Sequence, residues 1–297
     1  MLLPAADIAR RGRHEGWAAG AFNAVNMETM QAIFAAGEEE RAPFILQITQ
    51  TTINYTNPEE LCAMAQVLAR RATVPLAIHL DHGRTFEVVM QFLRLGVTSV
   101  MIDGSLQPDG KTPRGFAENV AVTREVVKAA HALGVSVEAE LGLLGQVEAG
   151  ATQGLTDPGQ AAEFVEKTEV DLLAVSIGTA HGLYKGKPYI AHERLRELAA
   201  AVPIPLVMHG GTGVPDEDVR QAVHEGIGKI NIDTQIRVAF YDALAEQVHQ
   251  AEQEFTRADS EGLVRKYDIR KLLAPTRTAM TAAVADRMRV FGAAGKG

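Results

Sequence analysis

Residues 75–104 read PLAIHLDHGRTFEVVMQFLRLGVTSVMIDG and hold a whole strand–helix–strand unit. PLAIHLD (75–81) and SVMIDG (99–104) are short, almost continuously apolar runs, while TFEVVMQFLRL (85–95) between them has the spacing of an amphipathic helix. Runs of that kind suit parallel strands buried on both faces. The first run ends in His79, Asp81 and His82, polar groups that need partners if buried.

The same alternation extends in both directions. Further strand-like runs are AAGAFNAV (18–25), PFILQIT (43–49), VSVEAELG (135–142), LLAVSIG (172–178), PLVMHGG (205–211) and IGKINID (227–233), with helical patterns between them. Several helices carry a start signal, such as Asn57-Pro58, Asp157-Pro158 and Pro215-Asp216. Eight β-then-α units predict an α/β fold, a closed (β/α)8 TIM barrel. An open doubly wound sheet is the alternative, but no G-x-G-x-x-G follows the first strand. The expected organisation is one domain, with a barrel core over about 18–250 and a helical C-terminal extension over 251–297. Its small-residue tail, GAAGKG, is expected to fray. Loops 104–113, 143–157 and 179–190 are long, and the last two are glycine-rich candidate covers.

The chain has 297 residues, 46% hydrophobic and 22% charged, an ordinary globular composition whose length suits one α/β barrel. A net charge of −8 argues against nucleic acid or an anionic membrane as partner, yet leaves room for an anionic small molecule at a locally positive site. The single cysteine, Cys62, rules out an internal disulfide and reads as a small core residue. The N-terminal MLLPAADIARRGRHEG lacks the apolar core of a secretory leader and suits a surface helix. No apolar run approaches the ~18 residues of a membrane span, so a cytoplasmic protein is expected.

In this fold the C-terminal strand ends carry function and the opposite ends carry stability. Here those ends present Asp81 with His82, Asp103, Glu140, His181, His209, and Asn231 with Asp233. Singly, each has an ordinary reading as a core histidine, a turn aspartate or a helix cap. Together they describe one bowl. His82, His181 and His209 converge from strands three, six and seven, a ligand set suited to a catalytic zinc with an open position. Strand alternation separates Asp81 from His82 unless the strand has ended there. His79 reads equally as support for a ligand or as a satisfied core histidine.

The turn His209-Gly210-Gly211-Thr212-Gly213 and the exit Asn231-Ile232-Asp233-Thr234 follow strands seven and eight, where this fold frequently binds phosphate. A plain tight turn is the simpler reading of the glycines. Near the C-terminus, Arg265, Lys266, Arg270, Lys271 and Arg277 form either a solvated helix face or a second anion contact offered to a neighbouring subunit.

HLDHG, VMIDGS, VEAELG, IGTAHGLYKG, HGGTG and KINIDT resemble, in order and spacing, the class II metal-dependent fructose-bisphosphate aldolases and their tagatose-bisphosphate branch. The likeness runs from AFN (21–23) to about residue 240, and more weakly to RKLLAPTRTAM (270–280). It implies that His82, His181 and His209 bind Zn2+, or another divalent ion such as Co2+, with Asp103 and Glu140 close to the metal. It further implies Asp81 as the acid/base at C4, Glu148 as the proton shuttle at C3, and Asn231 as support for the enediolate. Gly182, Gly210, Gly211, Thr212, Asp233 and Thr234 would hold the dihydroxyacetone phosphate half, with Thr49 near the same phosphate and Asn23 among the substrate-binding residues. YDIRK stands where relatives often show Asp-Pro-Arg, which makes Arg270 a contact for the second phosphate. The implied activity is reversible cleavage of a ketose 1,6-bisphosphate in glycolysis and gluconeogenesis. A monovalent cation and a homodimer or homotetramer belong to the same expectation.

Three rivals remain at this point. Lys229 shares strand parity with Asn231 and could form a Schiff base, but that leaves three histidines unexplained. A metal-dependent hydrolase often has His-x-His on its first strand, which AFNAV lacks. A non-catalytic sugar-phosphate binder would not require Asp81 and Glu148.

Overall fold

The computed structural model describes residues 1–142, 154–184, 186, 188–254 and 267–297. Eight parallel strands close a barrel in chain order: β1 (Ala19–Asn23), β2 (Phe44–Thr49), β3 (Leu76–Gly83), β4 (Ser99–Ile102), β5 (Ser136–Leu141), β6 (Leu172–Val175), β7 (Leu206–Met208) and β8 (Ile227–Ile232). β8 pairs with β1, which leaves no sheet edge. All eight runs anticipated from the sequence are strands. Every strand residue is buried except Thr49 and His82, both at strand tips.

The α-helices among the described residues are α1 (Ala5–Glu15), α2 (Met27–Glu40), α3 (Pro58–Ala69), α4 (Phe86–Arg94), α5 (Phe116–His131), α6 (Pro158–Thr168), α7 (His192–Ala201), α8 (Asp216–His224), α9 (Thr234–Glu254) and α10 (Ile269–Val290). Local chemistry sets their starts. The Asn57 side chain accepts from Glu59 N at 3.0 Å and Asp157 from Gln160 N at 2.8 Å, each ahead of a proline in the first turn. Cys62 is buried on α3, and burial pushes its thiol up to about 12.

Two terminal segments differ from expectation. α1 is not a surface helix: Ala5, Ala6, Ile8, Ala9 and Gly12 are buried against the strand starts, and Ala6 N donates to Ser136 Oγ at 3.4 Å. The helix covers the N-terminal mouth of the barrel with side chains too small to announce themselves by hydrophobicity. The GAAGKG tail is docked rather than frayed. Gly295 N donates to Glu40 O at 2.8 Å and Gly297 N to Arg41 O at 2.7 Å, both at the end of α2. α10 packs on α2 and α9 and reaches β1. The 104–113 loop is a hairpin, with Leu106 bridged to Pro113 and Gln107 N donating to Thr112 O at 2.7 Å.

Candidate active site

A cavity of about 530 Å³ opens at the C-terminal strand ends. Asn23, Thr49, Asp81, His82, Asp103, Glu140, His181, Gly182, Gly210, Thr212, Asn231, Asp233 and Thr234 all line it. The pairing of β3 with β4 shifts register between Leu80 and Gly83, and His82 has a left-handed φ of 52°. That irregularity lets two consecutive side chains, Asp81 and His82, enter one cavity against strand alternation. A left-handed non-glycine residue costs about 1–2 kcal/mol, which the surrounding barrel must offset.

The three imidazoles meet edge to face. Ring centroids lie 4.9 Å apart for His82–His209, 5.1 Å for His82–His181 and 5.6 Å for His181–His209. One ring nitrogen from each lies within 4.8 Å of the others. Glu138 Oε1 pairs with His209 Nε2 at 2.9 Å, which leaves His209 Nδ1 buried without a hydrogen-bond partner. An oriented imidazole with an unused buried nitrogen, beside two more imidazoles, fits a divalent metal of the zinc type. His82, Asp103 and Glu140 form a second group within the same reach. There Ser105 Oγ donates to Asp103 Oδ1 at 2.7 Å and to Glu140 Oε1 at 3.3 Å. Burial and the neighbouring Asp103 push the Glu140 carboxyl up to about 8.

Asp81 is a buried carboxylate between two amides. Asn23 Nδ2 donates to Oδ2 at 3.1 Å and Asn231 Nδ2 to Oδ1 at 3.4 Å, with Asn23 itself held by Gln47 Nε2 at 2.6 Å. Burial opposes its ionisation, but His82, His209 and Lys229 outweigh that and hold it below the usual carboxylate range.

On the far side, Gly210 has a φ of 68°, and a side chain there would run into the Ala180 carbonyl. The Tyr184 hydroxyl donates to Gly210 O at 2.8 Å and accepts from Ala180 N at 3.0 Å, joining the loops after β6 and β7. Thr212 Oγ1 accepts from Gln235 N at 3.3 Å, which ties the β7 loop to the first turn of α9. Glycine backbone, hydroxyls and the start of α9 thus gather on this side of the cavity.

The sequence profile of the family described as fructose-bisphosphate aldolase class-II matches residues 4–296. The chain belongs to the class II fructose-bisphosphate aldolases. It is 41% identical over 324 residues to the fructose-bisphosphate aldolase of Thermus caldophilus, covering 100% of both chains. The sulfofructosephosphate aldolase of Alkalicoccus urumqiensis is 38% identical over 287 residues, covering 95% of this chain and 93% of the relative. Among solved structures, the YdjI aldolase of Escherichia coli K12 superposes with a TM-score of 0.85 at 33% identity, over 100% of this chain and 99% of that one. The family is metal-dependent and its members are lyases, in agreement with the HLDHG-to-KINIDT resemblance.

Within this aldolase barrel, some residues singled out in the sequence lie elsewhere. Gly211 sits behind the cavity lining, its N donating to Asn231 O at 3.3 Å. Arg270 is 87% exposed, paired with Asp268 at 2.9 Å at the start of α10, and does not line the cavity. Arg277 donates to Gln31 Oε1 at 2.6 Å. Glu148, Arg265 and Lys266 lie outside the described residues.

The sequence reading also missed a buried polar layer under the aldolase site. Glu138 Oε2 pairs with Lys229 Nζ at 2.8 Å, and Lys229 Nζ donates to Asn231 Oδ1 at 2.7 Å. His79 belongs to this layer, with Nδ1 2.8 Å from Ser99 Oγ and Nε2 3.7 Å from Glu138 Oε2. Lys229 is therefore engaged as a counter-ion rather than presented as a free amine. The parity of Glu138 with Glu140 in VEAELG is the sequence signal that pointed inward.

Proposed function

We propose that this protein catalyses the reversible cleavage of fructose 1,6-bisphosphate to dihydroxyacetone phosphate and glyceraldehyde 3-phosphate. One observation carries the reading: Asp81, a buried ionised carboxylate held by two amides, stands one residue from an imidazole of a three-histidine cluster. Breaking the C3–C4 bond needs a base for the C4 hydroxyl and a sink for the electrons left at C3. Asp81 takes the hydroxyl proton on cleavage and returns it on condensation. His82, His181 and His209 would hold a divalent ion, zinc by donor type or cobalt in its place, which supplies Lewis-acid polarisation of the substrate ketone. Asp103 and Glu140 serve beside it, either at an alternative ion position or as hydrogen-bonded support.

Lys229 occupies Asn231 Oδ1, so the Asn231 Nδ2 group is turned to donate, to Asp81 and to an enediolate oxygen. Gly182, Gly210, Thr212, Asp233 and Thr234 bind the adjoining phosphate through backbone N–H groups and hydroxyls, with Gly211 shaping the turn and Thr49 close by. Asn23 positions Asp81, and Glu148 exchanges the C3 proton. A monovalent cation accompanies the phosphate. A cytoplasmic location belongs to the same reading, and no helix among the described residues is long and apolar enough to cross a membrane. The same reading includes a homodimer or homotetramer, in which Arg270 would serve a neighbour's second phosphate.

The test is a cleavage assay on fructose and tagatose 1,6-bisphosphates, repeated after stripping the protein with a chelator and after returning zinc. Cleavage of the fructose substrate that is lost on stripping and restored by zinc is expected. Undiminished activity without metal, or borohydride trapping of a lysine adduct, would overturn the mechanism. Faster cleavage of the tagatose substrate would reassign the sugar.

A further inference from the structure

Arg84 stands at the tip of β3, directly after Gly83, and its side chain lines the cavity. The side chain is half-buried. Its backbone N donates to Gln50 Oε1 at 2.7 Å, which fixes the tip against the segment after β2. Among the described residues the guanidinium has no ion pair and no side-chain hydrogen bond, and Nε is buried without a partner. By contrast, Arg237 pairs with Asp233 at 2.7 Å, Arg270 with Asp268 at 2.9 Å and Arg287 with Asp216 at 2.7 Å. A cation drawn partly out of water without a counter-charge is costly unless an anion arrives.

The 104–113 hairpin holds this cation in place. Gly110, with a φ of 67°, also lines the cavity, and a Cβ added there would stand 2.5 Å from the guanidinium Cζ. The guanidinium therefore lies beside the hairpin at Gly110, where an added side chain would displace it. In a ring of eight strands, β3 stands opposite β7. The glycine and hydroxyl cradle after β7 and β8 and the guanidinium of Arg84 thus face each other across the cavity. A chain anchored by one phosphate in the cradle, with its reacting bond near Asp81, sends its other end toward β3.

We infer that Arg84, from within the same chain and alongside any contribution of a neighbour's Arg270, binds the tetrahedral oxyanion at the far end of the ketose, a phosphate or a sulfonate, and so sets the preference for doubly anionic substrates. The inference rests on the aldolase reading above and assigns a selectivity residue to it. A planar fork of N–H donors recognises either group.

The experiment measures kcat/KM on three ketoses with the same metal-loaded preparation: fructose 1,6-bisphosphate, its 6-sulfonate analogue, and fructose 1-phosphate. The ratio of a doubly anionic substrate to the monophosphate is insensitive to the fraction of protein folded. Arg84→Ala is expected to lower that ratio about 10- to 100-fold, the value of a charge-assisted contact. Arg84→Lys, which keeps the charge, stays nearer wild type, and Gly110→Ala, which displaces the guanidinium, moves the ratio in the direction of Arg84→Ala. The doubly anionic ketose that suffers the larger loss identifies the natural far-end group. A ratio within about twofold of wild type in Arg84→Ala overturns the inference, as does equal loss in the alanine and lysine variants. A wild type that cleaves none of the three overturns the aldolase reading and this inference with it, whereas an active wild type with an unmoved ratio overturns the inference alone.

Discussion

The two mouths of the barrel are made by the same eight strands and closed by opposite means. At the N-terminal mouth, α1 lays Ala5, Ala6 and Ala9 on the strand starts with almost no exposure, and Gly228 is so close that a Cβ would stand 2.9 Å from Ala9 O. At the C-terminal mouth, carboxylates and imidazoles crowd together, with His209 Nδ1 and Glu140 Oε2 buried and without hydrogen-bond partners. The first arrangement stabilises through close packing. The second is unfavourable by itself and persists because the other end holds the frame. Stability and chemistry are thus separated along the strand axis.

Four substitutions break or sharpen that contrast. Asp81→Asn keeps the shape of the upper mouth and removes its proposed base. The turnover number should fall about 10²- to 10⁴-fold while the thermal midpoint holds; a turnover near wild type would dismiss Asp81 as the proton carrier. Glu138→Gln acts one layer deeper, where it frees His209 Nε2 and deprives Lys229 of its counter-ion. Competition with a chromophoric chelator should show metal affinity reduced about 10- to 100-fold, and unchanged affinity would detach this layer from the site. Gly228→Ala strikes the lower mouth, where backbone must give way. Urea unfolding should register a loss of about 1–3 kcal/mol with kcat/KM unaltered, and an altered kcat/KM would mean that the two mouths communicate. Asp171→Asn is the mildest, because Arg10 at 3.0 Å and His131 at 2.7 Å meet this aspartate near the surface. A stability loss of about 0.2–1 kcal/mol is expected from the same unfolding curves.

The strands were legible because parallel strands buried on both faces are nearly continuous in apolar residues, as in PLAIHLD and LLAVSIG. Helix starts were legible where a side-chain cap stands beside a proline, as at Asn57 and Asp157. α1 was not, because its buried face is mostly alanine and glycine and resembles any exposed helix in hydrophobicity. Nor was the docked tail, since the backbone N–H groups of Gly295 and Gly297 leave no mark in the residue types. At the site, the strand-end residues could be found one by one, and the cavity brings them together. The Glu138–Lys229 pair could not, because β5 meets β8 only across the closed barrel. Arg84 lay just past HLDHG and outside the motif, and only the hairpin packed against it gives it a role. Alternation argued against Asp81 and His82 sharing a face, and the left-handed φ that reverses this belongs to a histidine, which carries no glycine-like warning.

That reversal at β3 has a mechanical consequence. The proposed proton carrier and one proposed metal ligand are consecutive residues, so their Cα atoms are separated by a single trans peptide, about 3.8 Å. Their spacing is set by covalent bonds, whereas His181 and His209 reach the same point from other strands and depend on noncovalent packing to do so. When the barrel flexes or a distant substitution moves β3, base and ligand travel as one piece. Of the backbone spacings within the cluster, the one between proposed base and proposed ligand is therefore the one that thermal motion can alter least.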